Sequence, residues 1–242
     1  MLVAVLADIH SNLRALDAVL GSLGTVDAVW HLGDVVGYGP EPDAVVARLR
    51  EVGAVGVKGN HDAAVCGGLS MEDFNPDARA ADEWTRDRIE EATLAYLEGL
   101  PETIAPGGTD FTLVHGSPRE PTWEYLTTAP AAHENMSFFE TRYCLVGHTH
   151  VPLVFRERRS HLETLVPDPE SRLSLDERRA FLNPGSVGQP RDGDPTASYL
   201  ILDTTAGHAT WRRVAYDISA TQTAMLAAGL PPRLARRLSF GQ

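Results

Sequence analysis

Apolar residues along this chain come in short runs, and five of these runs are followed within two residues by glycine, aspartate or histidine. Leu2 to Ala7, Ala28 to Leu32, Ala54 to Val57, Phe111 to Val114 and Tyr143 to Val146 have strand length, not helix length. The polar residues behind them therefore stand at strand ends, where open α/β sheets build their sites.

Between the first three runs the period changes. Leu13, Leu16, Leu20 and Leu23 fall on one helix face, and Val45, Val46 and Leu49 on another. The stretch from Leu2 to Lys58 thus reads as βαβαβ, with parallel strands and helices packed on the sheet. A longer helical stretch is predicted from about Asp77 to Leu100, ended by Gly99 and Pro101. After Phe111 strands follow at shorter separations: Phe111 to His115, Arg142 to Gly147, Leu153 to Arg158, Tyr199 to Asp203 and Ala209 to Tyr216. The pattern predicts an α/β chain in which one mixed sheet or two stacked sheets, flanked by helices, form a single domain over residues 1–242.

Two segments stand apart. The charged stretch Arg156 to Arg179 contains Pro167 and Pro169 and reads as a surface excursion over about 156–180, or else a flap over the site. A C-terminal helical segment is expected over about 218–240, where Arg233, Arg236 and Arg237 near Leu234 and Leu238 suit a packed amphipathic helix.

Composition narrows the picture. The 242 residues are 43% hydrophobic, with no apolar run of about 18 residues to form a membrane span. Asp8 interrupts the first apolar run and no basic segment precedes it, so a cytoplasmic protein is expected. Cys66 and Cys144 suggest no disulfide. The 33 acidic residues against 21 basic ones give a net charge of −12, which argues against nucleic acid as a partner. Lys58 is the one lysine among the basic residues, a bias that genome composition explains as well as function does.

The chemistry lies in five motifs: Asp8-Ile9-His10, Gly33-Asp34, Gly59-Asn60-His61-Asp62, His115-Gly116 and Gly147-His148-Thr149-His150. In an extended segment residues two apart share a side, so Asp8 and His10 can reach one ion, as can His148 and His150. One such pair means little; five in order at strand ends mean more. His31 lies inside an apolar strand, and His133, His161 and His208 have no ligand-spaced neighbour, so all four read as ordinary packing or surface residues.

Together these motifs resemble the signature of the calcineurin-like metallophosphoesterase superfamily. The later Asn183-Pro184-Gly185-Ser186 resembles a segment of its small bacterial phosphodiesterase-like members. The resemblance implies a single-domain α/β/β/α sandwich of two stacked mixed sheets flanked by helices. It implies that Asp8, His10 and His150 hold one metal, Asn60, His115 and His148 the other, and that Asp34 bridges them. Such nitrogen and oxygen donors suit divalent transition ions, manganese first, then iron, zinc, nickel or cobalt. In the implied reaction a hydroxide between the ions attacks a phosphodiester or phosphomonoester, His61 is the general acid, and Asp62 could orient its ring.

One departure matters. Protein phosphatases of this superfamily follow Gly-Asp with an Asp-Arg-Gly element, which supplies an orienting carboxylate and a phosphate-binding arginine. Here the run is Gly33-Asp34-Val35-Val36-Gly37-Tyr38-Gly39-Pro40, so another phosphate clamp is required. Asn12, Arg119 and Arg191 are the candidates, and Tyr38 could stack on a base or aromatic leaving group. Two rivals are a nuclease acting on ends or single strands, which the net acidity opposes, and a metal-free interaction scaffold like the related retromer subunit, which the complete ligand set opposes.

Overall fold

The structure, a computed structural model, describes residues 1–159 and 161–242. The first half alternates strand and helix: β1 (Leu2–Leu6), α1 (Leu13–Ser22), β2 (Ala28–His31), α2 (Pro42–Glu51), β3 (Val55–Gly56), α3 (Asn60–Val65), α4 (Pro76–Arg86) and α5 (Glu91–Glu98). Then come β4 (Thr103–Ile104), β5 (Phe111–Val114), α6 (Ala129–Asn135), β6 (Tyr143–Leu145), β7 (Pro152–Arg158), β8 (His161–Leu165), β9 (Arg172–Ser174), β10 (Ala180–Pro184), β11 (Ala197–Asp203) and β12 (His208–Val214). Helices α7 (Ile218–Ala227) and α8 (Pro232–Arg237) end the chain, before a single 3-10 turn at Leu238–Phe240.

The strands form two six-stranded mixed sheets, ordered β3-β2-β1-β11-β12-β9 and β4-β5-β6-β10-β7-β8. Side chains alternate across each strand, so β1 turns Val3 and Val5 into the space between the sheets, against Phe111, Leu113, Leu182 and Trp211. Its Ala4 and Leu6 face outward under α1 and α2, against Leu16, Val19, Val45 and Leu49. The outer face of the second sheet, with Cys144, Phe155 and Phe181, packs against Ala132 of α6 and the adjacent Met136. Burial on both faces explains why these strands read as unbroken apolar runs and not as alternating ones. The layers are helix, sheet, sheet, helix, as the α/β/β/α expectation required.

Three details differ from the sequence reading. The helical stretch from Asp77 to Leu100 is two helices, α4 and α5, separated by a break at 87–90. Residues 156–180 include the end of β7, all of β8 and β9, and the start of β10. Among the described residues of that stretch no flap over the site forms: β9 pairs with His208 to Thr210 of β12, His208 lies opposite Asp203, and Asp203 lies opposite Leu2. That is the end of β1 remote from Asp8. Strand β10, central between β6 and β7, is absent from the sequence reading, because Asn183 and Pro184 break its apolar pattern.

Candidate metal centre

The turns that follow the strands are tight, and several place side chains in the left-handed region. Asp8, His10, Ser11, Asp34, Tyr38, His148 and His150 all have positive φ, between 49° and 65°. Each such non-glycine residue costs about 1–3 kcal/mol and persists where its surroundings over-determine it. Here the loops lock one another: His10 N donates to Asp34 O (2.9 Å), Gly147 N to His115 O (2.8 Å) and Gly188 N to Asp8 O (2.9 Å). Strain concentrated at candidate ligands marks a site where geometry has outweighed local preference.

Four imidazoles share one arrangement. His10 Nδ1 donates to Val36 O (3.1 Å), His115 Nδ1 to Leu32 O (2.8 Å), His148 Nε2 to Trp123 O (3.1 Å) and His150 Nδ1 to Gln189 O (2.6 Å). A neutral imidazole that donates from one nitrogen has a lone pair on the other, so each ring, once neutral, turns an acceptor inward. These acceptors face one another: His10 Nε2 is 3.2 Å from His150 Nε2, and His115 Nε2 is 3.0 Å from both His148 Nδ1 and Asn60 Oδ1. Converging lone pairs repel unless a cation sits among them.

The carboxylates repeat the logic. Asp8 Oδ1 accepts from His148 N (3.1 Å), and Asp34 Oδ1 from His61 N (3.0 Å). Their second oxygens, Asp8 Oδ2 and Asp34 Oδ2, are buried without a hydrogen bond. Asp34 Oδ2 lies 3.6 Å from His10 Nε2 and 3.3 Å from His115 Nε2, between the two histidine groups. Ligand atoms of Asp8, His10, Asp34 and His150 all fall within 4.8 Å of one another, as do those of Asp34, His115 and His148. Orphaned carboxylate oxygens among inward lone pairs fit divalent ions, since buried polar atoms are otherwise partnered.

Titration agrees. Burial holds His10, His148 and His150 well below the usual histidine range, in the form that binds metal. Burial also pushes Asp8 up to about 7. Burial opposes charge on His115 too, but the neighbouring Asp34 carboxylate outweighs it and raises the ring to about 9.

His61 differs from the other four. Its Nδ1 donates to both carboxylate oxygens of Asp82, at 2.9 and 2.8 Å. Burial works against charge on His61, but Asp82, and then Tyr38 and Asp34, prevail and raise it well above its usual range. The carboxylate that orients the ring is thus on α4, and the expectation that placed Asp62 in that role is corrected. Asp62 accepts from Val36 N (3.0 Å) and Gly59 N (2.9 Å), tying two loops together. Burial raises it to about 6. Gly37 explains the substitution: a Cβ there would lie 2.8 Å from both Asp82 Oδ1 and His61 Nδ1.

The clamp candidates separate. Asn12 is consumed by structure, since it caps α1 through Ala15 N (3.2 Å) and donates to Gly188 O (3.0 Å). Arg119 is paired with Glu124 and Glu134 and is not brought to the centre. Tyr38 is 5% exposed, edge-on to His10 at 4.6 Å between centroids, and has no open face for stacking. Arg191 is at the centre: its charge acts on Asp8, His10 and His150, its Cζ lies 5.8 Å above the Tyr38 ring, and Gln189 Oε1 holds its Nη2 at 2.8 Å.

Sequence reasoning missed Asp82, Gln189 and Trp123. Asp82 lies on a helix with no motif around it, and Trp123 acts through its backbone. Asn183-Pro184-Gly185-Ser186 is a buttress: Asn183 Nδ2 donates to Gly147 O (2.8 Å) and Ser186 Oγ to Asp8 O (2.8 Å).

The comparisons with known proteins agree with this geometry. Residues 1–207 match the model of the calcineurin-like phosphoesterase superfamily domain, and the chain belongs to that family. Its structure resembles the metallophosphoesterase from Sphaerobacter thermophilus, with a TM-score of 0.91 and 46% identity over 100% of this chain and 99% of that one. The Methanocaldococcus jannaschii protein MJ0912 is 37% identical over 100% of this chain and 98% of its own length. Hypothetical protein PH1004 from Pyrococcus horikoshii OT3, 20% identical, shares the fold with a TM-score of 0.81 over 100% and 98% of the two chains.

Proposed function

We propose that this protein is a divalent-metal phosphoesterase that hydrolyses a small phosphodiester or phosphomonoester at a dinuclear centre. The observation that carries the reading is the pair of converging ligand groups joined at Asp34 Oδ2. Asp8, His10 and His150 would hold one ion, Asn60, His115 and His148 the other, with Asp34 shared and manganese the first candidate. Two such ions supply charge neutralisation at the phosphoryl oxygens and a water made nucleophilic near neutral pH.

The chain's own groups do the rest. His61, kept charged by Asp82, has Nε2–H to give to the departing oxygen, so the alcohol leaves neutral. Arg191 bonds Gln189 through Nε and Nη2, which leaves Nη1 for a phosphoryl oxygen. Between them, Asp82 and Arg191 replace the carboxylate and arginine that the loop after Asp34 lacks.

The test is hydrolysis of bis(4-nitrophenyl) phosphate and 4-nitrophenyl phosphate by protein loaded with manganese. Asp34→Asn is expected to lose both metal and activity. His61→Gln is expected to keep the metal and turn over more slowly, little for the 4-nitrophenolate leaving group and about a hundredfold for an alkyl alcohol in its place. Manganese retention and rates that are unchanged in both variants would overturn the reading.

A further inference from the structure

One aromatic side chain at the centre has no part in this chemistry. Tyr125 lies with its ring centroid 3.7 Å from that of His148, the planes 30° apart, and is nevertheless 48% exposed. One face rests on a candidate metal ligand, and about half of the residue stays open to solvent. The ring therefore lies at the edge of the centre, over His148, where it is reached from solvent.

The loop that carries Tyr125 is held on both flanks. Glu124 accepts from Ser117 Oγ, Asn135 Nδ2 and Arg119. Arg119 N in turn donates to Asn135 Oδ1 (3.0 Å), and its Nη1 to Glu134 (3.1 Å). The Trp123 carbonyl is fixed by His148, and Leu126 is buried. A ring presented this way loses little freedom when a flat group settles on it. Such a surface recognises any base, because every base has a π-face.

We propose that Tyr125 is a stacking platform for a nucleobase or other planar aromatic group carried by the phosphoester, which makes the substrate nucleotide-like and not an alkyl or sugar phosphate. This rests on the phosphoesterase reading for the phosphoryl end. The ring sits beside the second ligand group, so a group stacked on it remains within reach of a phosphoryl group at the centre. Tyr38, enclosed by His10 and His61, offers no such surface.

The experiment uses ligands that are not hydrolysed, the 5′-methylenephosphonates of adenosine and of ribose, titrated calorimetrically into manganese-loaded protein. The adenosine compound is expected to bind about tenfold or more tightly than the ribose compound. Tyr125→Ala should bring that ratio close to one, and Tyr125→Phe should keep it. Equal affinities in the unaltered protein, or a ratio that survives Tyr125→Ala, would overturn the platform. If Tyr125→Ala does not fold, Tyr125→Leu takes its place, and a ratio that survives it overturns the platform just the same. Hydrolysis of aryl phosphodiesters with a ratio of one would keep the reaction and remove the platform. A high ratio lost in Tyr125→Ala, without hydrolysis of any ester, would do the reverse.

Discussion

At Gly37 the chain has no side chain, and the space is filled by the carboxylate of Asp82 and the ring of His61. That exchange makes a pH prediction. Burial lowers His61 and Asp82 raises it, so Asp82→Asn removes the larger upward influence and the ring titrates at lower pH. A general acid must be protonated, so the alkaline limb of kcat should move to lower pH in Asp82→Asn with manganese content unchanged; an unmoved limb would exclude the pairing from catalysis. Gly37→Ala should disturb the same pair more severely, because position 37 also has a φ of +87°; a loss of about 1–3 kcal/mol in denaturant unfolding is expected. The candidate ligands were legible because each lies in a short motif behind an apolar run. Asp82 was not, since its partner is 21 residues away and only the packing of α4 brings them together.

At the scale of elements, residues that resemble ligand binders act as joints. Asn12 caps α1 and, through Gly188 and Thr221, ties that helix to the loop after β10 and to α7. Asn12→Ala should therefore lower stability by about 1–2 kcal/mol, or roughly 2–4 °C in Tm for each kcal/mol, with the KM for an aryl phosphodiester little changed. Arg191→Ala should do the opposite, raising KM about tenfold or more with Tm nearly constant. Thermal melts and steady-state kinetics on both variants separate the roles. The βαβαβ half was legible because its strands are apolar throughout and its helices keep a clean period. Strand β10 was not, because its last residues, Asn183 and Pro184, serve the ligand loops more than the sheet.

At the scale of the whole molecule, the two sheets meet in one core while their loops bring together candidate ligands from residue 8 to residue 150. Charge is concentrated there: buried carboxylates and strained turns weaken the folded state unless a cation binds. Ions that bind only the folded form stabilise it by about 2.7 kcal/mol at a hundredfold excess over Kd, which predicts a Tm rise of about 5–10 °C with manganese. Asp34→Asn should abolish that rise, and a chelator should reverse it. The effect should also depend on pH. His115 titrates at about 9 and must lose its proton to become a ligand, so the ion and the proton compete. Apparent affinity should climb about tenfold per pH unit from 7 to 9 and level off above that. Below 7 the dependence should steepen, because Asp8, at about 7, takes up a second proton. Calorimetry in buffers of different ionisation enthalpy measures those protons directly. Release of close to one proton per protein at pH 8 is expected, and no release would mean that His115 is already neutral at that pH.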